Sequence, residues 1–364
     1  MVFHGGTRAL WMGSRCCKKH IAHASGALQR CSFGCQSCGE RMPVESLLQM
    51  WAMIVPHLSR CQRLSFVLLD PKFDPHMFPL PGNFDYLKRL DLTGQRPQTK
   101  GIIDIKNLFS RSQDLSAPVL TNLEMRNVIR PPRSLVNLSF LHISTWGMKL
   151  VDPFHPTLLH YFETNPNLET LIIRLPFSGQ VGPKKWSPRI LPKLQRLLAG
   201  PWNWASLLSA PVAKEIVLCD DRAINYAQIL PQSLRTVERV SLYSISDSGA
   251  GNPLLLLPWV FVQQLDFCCC PKVFSIFQLL TEHQEIFPAL VRITIYRSGG
   301  NDVPEHNILS SLQHLLASRL DLSISCDTTS LELAKKGWWD IPPHLKSRVK
   351  NLSGRNIPHW TGEH

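Results

Sequence analysis

The sequence has no apolar run long enough to cross a bilayer. Its longest candidate, Leu254 to Val262, is short and broken by Pro258, whereas a spanning helix needs about 20 consecutive apolar residues. The first residues, Met-Val-Phe-His-Gly-Gly-Thr-Arg, lack the apolar stretch and small-residue cleavage site of a secretory signal. With no such signal, the 11 cysteines read as reduced thiols of the cytosol or nucleus. The sequons Asn137-Leu138-Ser139 and Asn351-Leu352-Ser353 are then chance matches. Charged residues make up only 18% against 44% apolar, a balance that excludes general disorder and supplies ample core. Catalytic signatures are missing too: no phosphate-cradling glycine loop ending in Lys-Ser or Lys-Thr, no zincin His-Glu pattern and no nucleophile elbow. No enzyme and no cofactor are expected.

What the sequence does contain is one short pattern repeated from Cys61 to Leu322. An apolar residue is followed by two free positions, an apolar residue, one free position and a last apolar residue. Clear copies are Leu87/Leu90/Leu92, Leu120/Leu123/Met125, Leu138/Leu141/Ile143, Leu168/Leu171/Ile173, Val237/Val240/Leu242, Val262/Leu265/Phe267 and Leu290/Ile293/Ile295. Weaker ones are Cys61/Leu64/Phe66, Leu194/Leu197/Ala199 and Ala317/Leu320/Leu322, with a degenerate copy at Ile216/Leu218. The middle anchors recur every 26 residues or so, roughly the period of leucine-rich repeats. Each unit supplies one strand whose alternate side chains enter the core, and stacking hides the face that one unit cannot bury. The expectation is an α/β fold, an irregular, horseshoe-like leucine-rich-repeat solenoid of about ten repeats with a helical N-terminal cap. It divides into a lead-in (1–58), the solenoid (59–325) as one elongated body, and a closing tail (326–364) in which Trp338 and Trp339 cover the last repeat. Prolines such as Pro131-Pro132, Pro176 and Pro342-Pro343 belong in loops.

The residue just before each middle anchor is free of the core, and six of these eleven positions are arginine: Arg63, Arg89, Arg196, Arg239, Arg292 and Arg319. The whole chain has 23 arginines, so the enrichment is not a matter of composition. Arg126 and Arg174 follow the last anchors of their repeats and join the set, as do the outward aromatics Phe140, Tyr243 and Tyr296. Neighbouring strands lie about 4.8 Å apart, so stacked guanidiniums repel unless something negative lies among them. Two readings stay open. One is a structural ladder, with arginine heads paired to Asp91, Asp266 and Asp321. The other is a basic binding stripe, favoured by the net charge of +12 and by the fit of the guanidinium fork to carboxylate or phosphate. Its partner would be an acidic or phosphorylated protein segment. Nucleic acid is the weaker option, because the aromatics are too scattered to stack bases.

Other clusters have plainer explanations. Cys16, Cys17, His20, His23, Cys31, Cys35 and Cys38 approach zinc-ligand spacing but lack the paired arrangement and show no strand pattern between them, so no metal is expected. Of Cys268-Cys269-Cys270, alternation buries one as a small hydrophobe. The pairs Gly5-Gly6 and Gly299-Gly300 mark turns. His283 and Glu285 are placed on a convex helix facing water and not in a catalytic dyad.

Ala9-Leu10-Trp11, Leu28-Gln29-Arg30-Cys31 and Pro56-His57-Leu58-Ser59-Arg60-Cys61, followed by Ala117-Pro118-Val119-Leu120-Thr121-Asn122-Leu123 and Asn165-Pro166-Asn167-Leu168-Glu169-Thr170-Leu171, come in an order that resembles the leucine-rich F-box proteins of mushroom-forming fungi. The resemblance runs from about Trp11 onward. It implies a substrate receptor of a cullin-type ubiquitin ligase, in which an F-box grips a Skp-type adaptor and the solenoid selects the target. The F-box itself, about forty residues opening with Leu-Pro, is not found before Trp11. Its only echo is Met42-Pro43-Val44-Glu45 with Leu47, Leu48 and Ile54, read here as an amphipathic lead-in helix, so adaptor binding is expected only if an F-box lies upstream of Met1. The protein is expected in the cytoplasm or nucleus, off the membrane.

Overall fold

In the computed structural model, the residues described are 2–5, 8–11, 30–34, 49, 52, 55–56, 58–68, 83–94, 103–104, 116–129, 135–144, 154–174, 189–200, 208–219, 235–243, 259–270, 273–296, 305–327 and 343–352. The chain divides into two compact units, Met1–Gln180 and Val181–His364. Each is an α/β arrangement built on parallel strands that recur once per copy of the pattern.

The first unit pairs six strands in sequence order: β1 (Arg30–Gly34), β2 (Arg63–Leu68), β3 (Arg89–Gly94), β4 (Asn122–Arg126), β5 (Phe140–Ser144) and β6 (Thr170–Arg174). One helix, α1 (Phe154–Thr164), returns the chain from β5 to β6. An antiparallel hairpin pairs Val2–Gly5 with Arg8–Trp11. Helical backbone at Gln49, Ala52, Val55, Pro56 and Leu58 leads into β2. The second unit pairs seven: β7 (Arg196–Gly200), β8 (Glu215–Cys219), β9 (Arg239–Tyr243), β10 (Gln264–Cys268), β11 (Arg292–Tyr296), β12 (Ser323–Asp327) and β13 (Val349–Leu352). Its helices α2 (Val273–Glu282) and α3 (Glu305–Ser318) pack against each other.

Register is constant because the anchors align: Leu64, Leu90, Leu123, Leu141 and Leu171 sit side by side across β2 to β6, and all five are fully buried. Burying each such side chain contributes about 1.5–3 kcal/mol. A backbone device fixes the register just before the outward arginines. The carbonyl two residues before each anchor accepts two successive N–H groups of the next strand, as when Gln62 O receives Lys88 N at 2.8 Å and Arg89 N at 3.1 Å. Lys88, Thr121, Ser139, Gln195, Lys214, Glu238 and Gln263 repeat it.

The pattern is also longer than the sequence reading took it to be. A buried residue three places before the first anchor opens a tight turn, as at Leu58, Phe84, Ala117, Asn165, Leu191, Ala210, Trp259 and Phe287. Trp259 and Phe287, from successive repeats, stack with ring centroids 5.8 Å apart. One repeat lacks the turn's own hydrogen bond. There Asn137 has a left-handed φ of 70°, and the fully buried Asn165 bridges the gap. Its Oδ1 accepts from Leu138 N at 2.8 Å while its Nδ2 donates to Leu135 O at 3.1 Å.

Several expectations need correction. The sheet starts before Cys61, since Cys31 pairs with Leu64 and Phe33 with Phe66. It also continues into the tail, where Val349 pairs with Ile324. The copy at Ala317/Leu320/Leu322 is misplaced. Helix α3 runs to Ser318 and takes in Ala317, and the strand begins only at Ser323. Leu320 is 80% exposed, whereas Ile324 and Cys326 are the buried anchors. Pro343 opens a short helix, Pro343–Lys346, instead of lying in a loop; at a first helical position its missing N–H costs nothing. Two cysteines of the run are buried and not one, Cys268 and Cys270. Cys269 between them takes a φ of 54°, as does Asn127. Both follow a strand end and donate their N–H to the last residue of the next strand, Tyr296 O and Ser144 O, so the left-handed residue is a feature of the repeat. His283 and Glu285 meet at 3.1 Å on an exposed 3-10 turn, Gln284–Ile286.

Candidate functional site

On β2 to β5 of the first unit the outward side chains form an alternating chain of charges. Arg63 Nη2 lies 2.9 Å from Asp91 Oδ2, and Arg89 Nε donates to Asp91 Oδ1 at 2.7 Å. The same Arg89 reaches on to Glu124 Oε2 with Nη2 at 2.9 Å. Arg126 Nε donates to Glu124 Oε1 at 2.7 Å, and His142 Nδ1 approaches that oxygen at 3.2 Å. Strand register dictates this sequence, for Ser65, Asp91, Glu124 and His142 are direct neighbours in the column between the anchors. Arginine sits at one outward position of a strand and carboxylate at the next, so each carboxylate lies between two guanidiniums.

Burial strengthens these pairs. The arginine side chains stay 35–40% exposed, while those of Asp91 and Glu124 are at 8% and 10%. Long arginine stems cover the carboxylates and leave the heads at the surface. Burial alone would raise the Glu124 carboxyl, but the His142 hydrogen bond and the charge of Arg126 outweigh it and hold the group at about 2. For His142, burial lowers the pKa and the contact with Glu124 recovers only part of it. The neutral imidazole then donates from Nδ1 to Glu124 and leaves Nε2 a bare, buried acceptor.

The second unit repeats the scheme. Arg196 Nη2 donates to Glu215 Oε1 at 3.0 Å, with Nε 2.8 Å from the other oxygen but out of line for a hydrogen bond. Arg239 Nε is 4.0 Å from Glu215 and 2.6 Å from Asp266 Oδ2. Asp266 is fully buried and also accepts from Ser241 Oγ at 3.1 Å and Gln264 Nε2 at 2.9 Å. Burial disfavours the Arg239 cation, but Asp266 and Glu215 more than compensate and raise its pKa above the usual value. The chain of charges then stops. Arg292 is exposed, and its one hydrogen bond among the described residues is a 3.5 Å contact to Gln264 Oε1.

The arginines picked out from sequence thus divide. Arg63, Arg89, Arg126, Arg196 and Arg239 are ion-paired, Arg174 is half-buried at the end of β6, and Arg292 faces solvent. Arg319 is outside the column. Its guanidinium donates to the carbonyls of Leu280 at 3.3 Å, Phe287 at 2.6 Å and Gln284 at 3.1 Å, closing the C-terminal end of α2. Burial lowers its pKa, offset in part by Glu285. Arg348 does the same one repeat later, at Leu322 O (2.8 Å) and Leu316 O (2.7 Å). Phe140 and Tyr243 are half-buried, whereas Tyr296 is only 6% exposed and offers no contact surface. Asp321 is exposed at a turn and pairs with none of the column. Glu124, Glu215 and His142 were missed, although reading the column between the anchors strand by strand would have found Glu124 and His142.

The N-terminal zinc candidates, apart from the backbone of Cys31 in β1, lie outside the described residues, as do Gly299-Gly300, Trp338 and Trp339. Among the described residues no group of three or more His, Cys, Asp or Glu is placed to hold a metal ion, and no helix is long and apolar enough to cross a membrane. No protein-family model matches the chain, and no curated protein matches it.

Proposed function

We propose that the chain is a non-catalytic recognition scaffold, a leucine-rich-repeat solenoid of about ten repeats with a helical N-terminal cap, that serves as the substrate-receptor part of a cullin-type ubiquitin ligase in the cytoplasm or nucleus. The observation that carries the recognition reading is the constant register of the parallel strands. It spends alternate residues on the core and leaves rows of outward residues that can vary without cost to the fold. The link to ubiquitin rests on the motif order that resembles the fungal F-box proteins. The rival is a free-standing scaffold for an acidic protein or RNA; the pairing of Arg63, Arg89, Arg126, Arg196 and Arg239 with carboxylates supports the protein over RNA, since those cations are not free for a phosphate backbone.

The link is tested by titrating the full chain onto an immobilised Skp-type adaptor. Saturable binding tighter than about 1 μM is expected of a receptor. Absence of binding, with target recognition intact, would leave the scaffold and remove the ligase.

A further inference from the structure

The division of the outward cations locates the place where a partner's negative charge can be received. Displacing a paired arginine from Asp91, Glu124 or Asp266 would strand a buried carboxylate, and from Glu215 a half-buried one, so those heads are costly to recruit. On β11 to β13 the situation is reversed. Arg292 stands beside Ser323, and Lys350 follows the buried Thr294 and Ser325 across the three strands in the next column. Arg292 and Lys350 are exposed, and neither has a carboxylate within ion-pair distance among the described residues. Ser323 Oγ donates to Val291 O at 3.2 Å, while the hydroxyls of Thr294 and Ser325 take no hydrogen bond among the described residues. The only acidic residue on these strands is Asp327, which pairs in register with Leu352, two positions beyond Lys350.

Building on the recognition reading, we propose that Arg292 and Lys350 form a receiving site for a phosphoserine or phosphothreonine of a partner protein. Two exposed cations without an ion-paired carboxylate match the two charges of a phosphate dianion better than a single carboxylate does. Guanidinium can take two of the oxygens side by side, and the Lys350 ammonium serves as the second charge. RNA fits the patch less well: its charges are few and confined to three strands, and the neighbouring Tyr296 is buried, so no stacking surface adjoins them.

The test compares the full chain's affinity for a degenerate phosphoserine peptide pool with that for the same pool carrying serine, by fluorescence anisotropy. A preference of about tenfold for the phosphorylated pool is expected. The double substitution Arg292→Ala with Lys350→Ala should abolish it, and Lys214→Ala, which removes an exposed cation paired with Glu238 elsewhere, should not. An unchanged unfolding midpoint confirms that the double variant is folded. Equal affinity for the two pools, or a preference that survives the double variant, overturns the site and leaves protein recognition standing. Binding of a single-stranded RNA oligonucleotide and of neither pool overturns both.

Discussion

Replacing Glu124 by alanine is expected to cost about 3–5 kcal/mol of folding stability, the range for breaking a buried pair from one side. The cost is large because three groups lose one acceptor at once. Arg89, Arg126 and His142 all point at Glu124, and their heads are held there by strand register. Acid titrates the same interaction. The folded carboxyl sits at about 2 against an ordinary 4.5, so as pH falls below 4.5 the unfolded chain takes up the proton first. The stability is present above 4.5 and is lost as pH approaches 2, by about 3 kcal/mol in total. His142 has the same sign in a higher window. Its folded pKa is lowered from 6.5, so acidification below 6.5 already favours the unfolded chain. Urea midpoints measured from pH 4.5 to 3 should therefore fall more steeply for the native chain than for Glu124→Ala; parallel slopes in that window would remove Glu124 from the account.

A comparable loss, about 3–5 kcal/mol, is expected for Asp266→Ala in the second unit. Asp266 has no exposure at all and satisfies Arg239, Ser241 and Gln264 together, and alanine leaves a cation and two polar groups facing an apolar gap. Asp266→Asn, which keeps the shape and one acceptor, should recover part of the loss. An alanine variant within about 1 kcal/mol of the native chain would mean that Arg239 finds Glu215 instead, already 4.0 Å away.

The strands were legible in the sequence because an anchor two or three residues from the next leaves little choice of register. Every clear copy, from Leu87 to Ile295, lies on a parallel strand. The errors arose where the same spacing occurs outside a strand or is hidden within one. Ala317 at the end of α3 and Leu320 and Leu322 in the turn after it happen to match the spacing although the strand begins at Ser323, and a cysteine in the anchor place concealed β1. The outward arginines were equally visible, but their meaning was not. Whether a guanidinium is free depends on its neighbour in space, twenty or thirty residues away, as Arg89 depends on Glu124. Arg319 shows the limit best. Its place beside an apolar residue suggested a surface cation, and the fold turns it inward to hold three carbonyls.

The division of the arginines into structural and receiving groups is tested most directly by two single variants measured side by side. Arg239→Ala should lower folding stability by about 3 kcal/mol, because it strands the buried Asp266. Arg292→Ala should stay within about 0.5 kcal/mol of the native chain, as exposed substitutions do, and lose affinity for the phosphoserine pool. Equal stability losses at the two positions, or a neutral Arg239→Ala, would contradict the division.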